Sequence, residues 1–189
     1  MAENNNSIPT EKDFNLSKVK LLPNGGIKTT YQITQVIENE SCLVDRNETS
    51  NREIHPDLRN LFEELRIIVA RVFGITSFLS LCESKEMAMT AKQKALAEAL
   101  AAEQKSKIDV RGIALSGTED NVGVVITSVL ETPNGLKTCI NTPRIKVSTI
   151  SFGFEEELEQ IIADIKTELY AFLFKGKQAQ MSLFGQEQE

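Results

Sequence analysis

The chain contains no tryptophan, two tyrosines, one histidine and three cysteines among its 189 residues. Each shortage closes off a class of activity. His55 alone cannot supply a His-x-x-x-His zinc site, and a lone histidine ahead of a proline at a helix start reads as an N-terminal cap or a solvent-facing residue before it reads as a catalytic or metal-binding one. Cys42, Cys82 and Cys139 are odd in number and far apart, so they supply neither a disulfide framework nor paired metal ligands, and they read as reduced, partly buried thiols. Without tryptophan, and with Tyr31 as the main aromatic on a strand, there is no evident platform on which single-stranded bases could stack. No apolar run reaches the length of a membrane span, and Met1 to Lys12 is Asn- and Glu-rich without the hydrophobic stretch of a signal peptide, so a cytosolic location is expected, with no membrane partner.

Positive charge is also short. The net charge is −6 and the isoelectric point about 5.0, which argues against the basic face that a broad nucleic-acid footprint requires. Lys18, Lys20 and Lys28 on one hairpin, with Lys137, Arg144 and Lys146 further on, could gather a local basic strip. Contact with DNA is therefore expected to be weak or indirect. Gly-x-Ser-x-Gly, Cys-x-x-Cys and a glycine-rich phosphate loop are all missing. The pair Glu119-Asp120 falls in a predicted hairpin loop, where acids serve turn geometry. The run Glu155-Glu156-Glu157 falls in the first turn of a predicted helix, where the dipole favours negative charge. No catalytic, cofactor or metal residues are assigned, and a non-enzymatic protein is expected.

The hydrophobic content of 41% is enough for one sizeable core. Residues 1–15 are too polar to order on their own, so structure is expected to begin near Leu16. Val19–Leu22 and Ile27–Val36 are β-prone, and Pro23-Asn24-Gly25-Gly26 between them carries hairpin-loop chemistry. Glu38–Glu53 lacks periodicity and reads as an exposed loop. Leu58, Leu61, Phe62, Leu65, Ile68, Val69, Val72 and Phe73 then share one helical face, with Pro56 at the first helical position and Gly74 closing the far end.

Residues 85–105 are rich in Ala, Lys and Glu, with a narrow apolar stripe of Met87, Ala91, Ala95, Leu96 and Leu100. This segment reads as a partly packed helical insertion, or as an arm for self-association into a homo-oligomer. Beyond it the period changes to two. Ile108–Leu115, Val122–Leu130 and Leu136–Asn141 read as an antiparallel meander, with Asn134-Gly135 a strong hairpin signal. A last amphipathic helix spans Phe154 to Phe174, on Leu158, Ile161, Ile162, Ile165, Leu169, Phe172 and Leu173, and Lys175-Gly176-Lys177 stops it. The expected fold is α+β: about five antiparallel strands with two amphipathic helices on one face, in a single domain over 16–175 followed by a tail.

In that tail stands Gln180-Met181-Ser182-Leu183-Phe184. The pentapeptide resembles the bacterial sliding-clamp-binding motif Gln-x-(Ser or Asp)-Leu-Phe, by which replication and repair proteins dock on the polymerase processivity ring. The resemblance implies that Leu183 and Phe184 fill a preformed apolar pocket and that Gln180 makes polar contacts at its rim. Met181 substitutes for the leucine usually favoured there at little cost. Affinity of one such peptide is expected on the order of micromolar, because few residues are buried. The bland alternative is that Leu183 and Phe184 fold back as a cap on the domain, which flanking Gln178, Gln186, Glu187, Gln188 and Glu189 disfavour.

A second likeness covers most of residues 16–185. His55-Pro56-Asp57-Leu58, Gly112-Ile113-Ala114-Leu115-Ser116-Gly117 with Gly123-Val124-Val125-Ile126, Asn141-Thr142-Pro143 and the run Ala171 to Gln180 are similar to a family of uncharacterised bacteriophage and prophage proteins, whose members often end in Gln-x-x-Leu-Phe. Met87–Ala102 is an addition to that pattern. The two resemblances together imply a phage accessory or regulatory protein of DNA replication or recombination that reaches the host clamp through its tail. The alternative is a small-ligand, nucleotide-like or anti-defence module with a pocket between sheet and helices.

Overall fold

The computed structural model describes residues 9–37, 40–75, 107–118, 121–132, 134–147 and 153–177. The expected Ala-rich helix, Cys82, Glu119-Asp120 and the peptide Gln180–Phe184 lie outside these residues. Within them the chain is α+β. Its strands are β1 (Phe14–Leu21), β2 (Ile27–Ile37), β3 (Glu40–Ser50), β4 (Ile108–Ser116), β5 (Gly123–Glu131), β6 (Lys137–Asn141) and β7 (Ile145–Lys146), and its helices α1 (Pro56–Val72) and α2 (Glu155–Phe174). All pairings are antiparallel, in the order β3-β2-β1-β4-β5-β6, with β7 taking up the β5 edge after β6 stops.

Sheet and helices meet because the inward row of each central strand is apolar. Val19, Ile27, Ile113 and Ile126 are fully or almost fully buried, opposite Leu58, Leu65, Ile68, Leu158, Ile165 and Leu169 from the helices. Each such side chain contributes about 1.5–3 kcal/mol relative to exposure. The opposite row is polar, with Lys18, Lys20 and Lys28 exposed and Thr30 and Gln32 hydrogen-bonded across to Asn47 and Asp45. An antiparallel sheet covered on one face produces this division.

The two helices run antiparallel, and their ends are electrostatically matched. Arg71 in the last turn of α1 reaches Glu157 in the first turn of α2 at 2.9 Å, while Lys177 after α2 reaches Asp57 at the start of α1 at 2.8 Å. Each acid stands at a positive dipole end and each base at a negative one, so pair and dipole act in the same sense. Of the glutamate run, Glu155 is buried and its carboxylate accepts from the Phe154 N–H, Glu156 is exposed, and Glu157 serves the helix pair.

Three expectations are corrected. The stretch read as an exposed loop contains β3, which pairs with β2 continuously from Ile37↔Glu40 to Ile27↔Ser50. Its alternation is hidden because it is an edge strand: of its inward row Cys42, Val44, Arg46, Glu48 and Ser50 only Ser50 is buried and Arg46 is exposed, and Glu48 accepts from the Tyr31 hydroxyl at 3.0 Å. With β3 and the two-residue β7, the sheet among the described residues has seven strands, roughly in keeping with the expected count of about five. Order also begins before Leu16. A 3-10 turn at Glu11–Asp13 leads into β1, the Pro9 carbonyl accepts from the Tyr170 hydroxyl at 2.7 Å, and Glu11 accepts from Thr167 at 2.7 Å. Phe14 anchors this segment among Tyr31, Tyr170 and Phe174, with ring centroids 5.1–6.1 Å away. The polar composition of the segment concealed that its partner is a helix more than 150 residues downstream. Finally, Cys139 is exposed on the open face, while Cys42 is half-buried.

The segments singled out as family-like in the meander converge on one corner. Arg144 donates through Nε to the Ser116 hydroxyl at 3.0 Å and through Nη2 to the Ser116 and Asn121 carbonyls. Its side chain lies over Gly123, where an added Cβ would stand 2.5 Å from Cζ, so any larger residue there would have to displace Arg144. Thr142, just before Pro143, bridges the gap where β5 changes partner: its N–H donates to the Ile126 carbonyl and its hydroxyl accepts from the Ile126 N–H, both at 2.9 Å. Arg144 is thus bound into the fold and is not a free member of a basic strip.

Candidate functional site

The charged centre of the described residues is where helix α2 ends against the beginning of α1. His55 caps α1, its Nδ1 accepting from the Asp57 N–H at 3.3 Å and lying 3.1 Å from the Asp57 carboxylate. Pro56 occupies the first helical position, where an N–H would be unused. From the other side, α2 ends at Phe174. Gly176 adopts φ +71°, a left-handed conformation that favours glycine, and the Lys177 N–H turns back to the Ala171 carbonyl at 3.0 Å.

This reversal delivers the Lys177 ammonium between two carboxylates, 2.8 Å from Asp57 Oδ2 and 2.7 Å from Glu168 Oε2. The hydrogen bond from Lys177 holds the Asp57 carboxyl below its ordinary range, with the nearby His55 acting in the same direction. Asp57 and Glu168 in turn raise Lys177 above its usual value. By residue type, His55, Asp57 and Glu168 could hold a metal ion, since one ligand atom from each lies within 4.8 Å of the others. Lys177 stands between these acids and supplies positive charge to both, so the arrangement as described is an ion-paired tether. Chemically it can fix one chain segment to another; it contains no activated nucleophile.

His55 therefore has the capping role expected from its place before Pro56. Asp57, expected only as a dipole-favoured acid, is also one end of the tether. Lys177 was legible as part of a helix stop, but its partners were not, because Asp57 is 120 positions away in the sequence. The remaining sequence-identified site residues, Gln180, Met181, Ser182, Leu183 and Phe184, follow the tether within a few positions and lie outside the described residues. Among the described residues, no helix is long and apolar enough to cross a membrane.

No protein-family model, curated protein or solved structure matches the chain. A functional reading therefore rests on the sequence motif and on the geometry that precedes it.

Proposed function

We propose that this chain is a phage-derived, non-enzymatic accessory or regulatory protein of DNA replication or recombination that docks on the bacterial sliding clamp through Gln180-Met181-Ser182-Leu183-Phe184. The observation that carries the reading is that pentapeptide. It matches the Gln-x-(Ser or Asp)-Leu-Phe pattern at every defined position, and such a string arises by chance in a chain of this length well under about one per cent of the time.

The geometry upstream gives it support. Lys177 binds Asp57 and Glu168, so the chain is held to the domain at a point three residues before Gln180 in the sequence. A peptide held close to a rigid body loses less freedom on binding than one on a long linker. The acidic balance of the chain supports a reading in which DNA contact falls on the clamp's side of such a complex.

The test is binding of the purified full chain to purified bacterial sliding clamp by surface plasmon resonance. We expect saturable binding on the order of micromolar, reduced at least about tenfold by Leu183→Ala combined with Phe184→Ala, because both anchors of a small interface are removed. Equal binding by wild type and double variant, or none by either, refutes the proposal.

A further inference from the structure

A second feature is independent of the tail. The β1–β2 loop (Leu22–Gly26), the start of α1 and the beginning of β4 enclose a cleft of about 520 Å³, within the usual range for small-molecule sites. Its walls are built locally. In the loop, Asn24 Oδ1 accepts from the Gly26 N–H at 3.1 Å, and the Gly25 carbonyl accepts from the Ile54 N–H at 3.1 Å, tying the loop to the approach to α1. On α1, Arg59, Phe62, Glu63 and Arg66 recur at helical spacing and so share one side, with Phe62 buried. Asp109 and Arg111 come from β4.

Three guanidiniums therefore line one concavity, and they are not equivalent. Arg59 is hydrogen-bonded to Glu53 at 3.2 Å, and Arg111 is paired with Asp109. Arg66 is different: its nearest carboxylate, Glu63, is 3.7 Å from Nη2, beyond hydrogen-bond reach, and its Nε is sealed from solvent without an acceptor. A buried donor on a charged group is expensive to leave unmatched. A guanidinium without a carboxylate partner is a strong site for an oxyanion.

We propose that this cleft binds a small organic oxyanion, a phosphate or carboxylate, at the guanidinium of Arg66, the one arginine of its lining without a hydrogen-bonded carboxylate among the described residues. Arg59 and Arg111 add positive charge at the rim, since their own pairs are solvent-exposed and weakly held. Glu53, Glu63 and Asp109 balance that charge, so the cleft selects anions that also carry hydroxyl or amino donors over bare multivalent ions. The proposal does not depend on the clamp reading, because Lys177 pairs with Asp57 and Glu168, neither of which lines the cleft.

The experiment is thermal unfolding of the full chain with millimolar ribose 5-phosphate, glutamate or uncharged ribose, alongside the Arg66→Met and Glu63→Gln variants. The two charged probes distinguish a phosphate from a carboxylate ligand. At least one is expected to raise the midpoint by about 2 °C or more, since a ligand selective for the folded state stabilises it, while ribose has no effect. Arg66→Met should weaken that binding at least about tenfold without lowering the midpoint of the ligand-free protein, because it removes an unmatched buried donor and keeps the apolar stem. Glu63→Gln should tighten binding by removing the competing carboxylate. The proposal is overturned if neither charged probe stabilises the protein or if ribose matches them. It is equally overturned if Arg66→Met binds as wild type does, or if Glu63→Gln fails to tighten the complex.

Discussion

Replacing Thr142 by valine tests the account of how the β5 edge is closed. Thr142 is 4% exposed, and its hydroxyl is the acceptor for the Ile126 N–H at the point where β6 has ended and β7 has not begun. Valine has nearly the same shape, so no cavity forms and the backbone bond from the Thr142 N–H to the Ile126 carbonyl is retained. What changes is that a buried N–H loses its acceptor, at a cost of about 1–3 kcal/mol, offset by about 0.8 kcal/mol from burying a methyl group in place of the hydroxyl. The expected net loss is about 0.2–2.2 kcal/mol, a fall in Tm of up to about 9 °C for a chain of this size. Thr142→Ser keeps the acceptor and loses a methyl, so its stability loss of about 0.8 kcal/mol is close to that of valine, and stability alone does not separate the two. Amide hydrogen exchange at Ile126 does. It should accelerate in the valine variant and remain slow in the serine variant. A valine variant as stable as wild type with the Ile126 amide still protected would refute the reasoning.

Two further outcomes concern pH. Tyr31 is pushed up to about 12 by burial and by its bond to Glu48, so the neutral phenol is favoured in the folded state. Its contribution to stability is fully present below about pH 10 and is lost as pH rises through about 12; the difference between ultraviolet titrations of wild type and Tyr31→Phe should show the Tyr31 phenolate forming near pH 12, and its formation near pH 10 would contradict this. Asp57 has the opposite sign: with its carboxyl depressed by Lys177, its contribution is present above the ordinary value of 3.8 and is lost as pH falls through the lower folded value. Urea midpoints of wild type and Asp57→Asn should therefore differ near neutrality and converge in acid, and a constant gap across that range would show that Asp57 does not act through its charge.

The amphipathic helices show how far local pattern reaches. In α1 the apolar period, Pro56, His55 and Gly74 all act within a few residues of one another, so sequence alone specified the helix and both of its ends. The same holds for the β1–β2 hairpin and for the meander, whose turns at Pro23–Gly26 and Asn134-Gly135 are set by residues that tolerate those backbone angles. Edge strand β3 escaped because its pairing energy comes from backbone bonds to β2, which leave no mark on side-chain hydropathy. The ordered segment from Pro9 to Phe14 escaped because it is held by Tyr170 and Thr167, whose contribution is visible only once α2 has folded over it.

The tether and the cleft divide along the same line. Sequence by itself determined the helix stop at Lys175-Gly176-Lys177, the cap at His55 and the pentapeptide at Gln180–Phe184, because each is a contiguous string with a local chemical meaning. Tertiary structure alone decided that Lys177 meets Asp57 and Glu168, and that Arg66 faces a cleft shared with residues of β4 and the first hairpin loop. Charge interactions of that kind depend on separation in space, and the separation between residues distant along the chain is fixed only when the apolar faces of sheet and helices have packed.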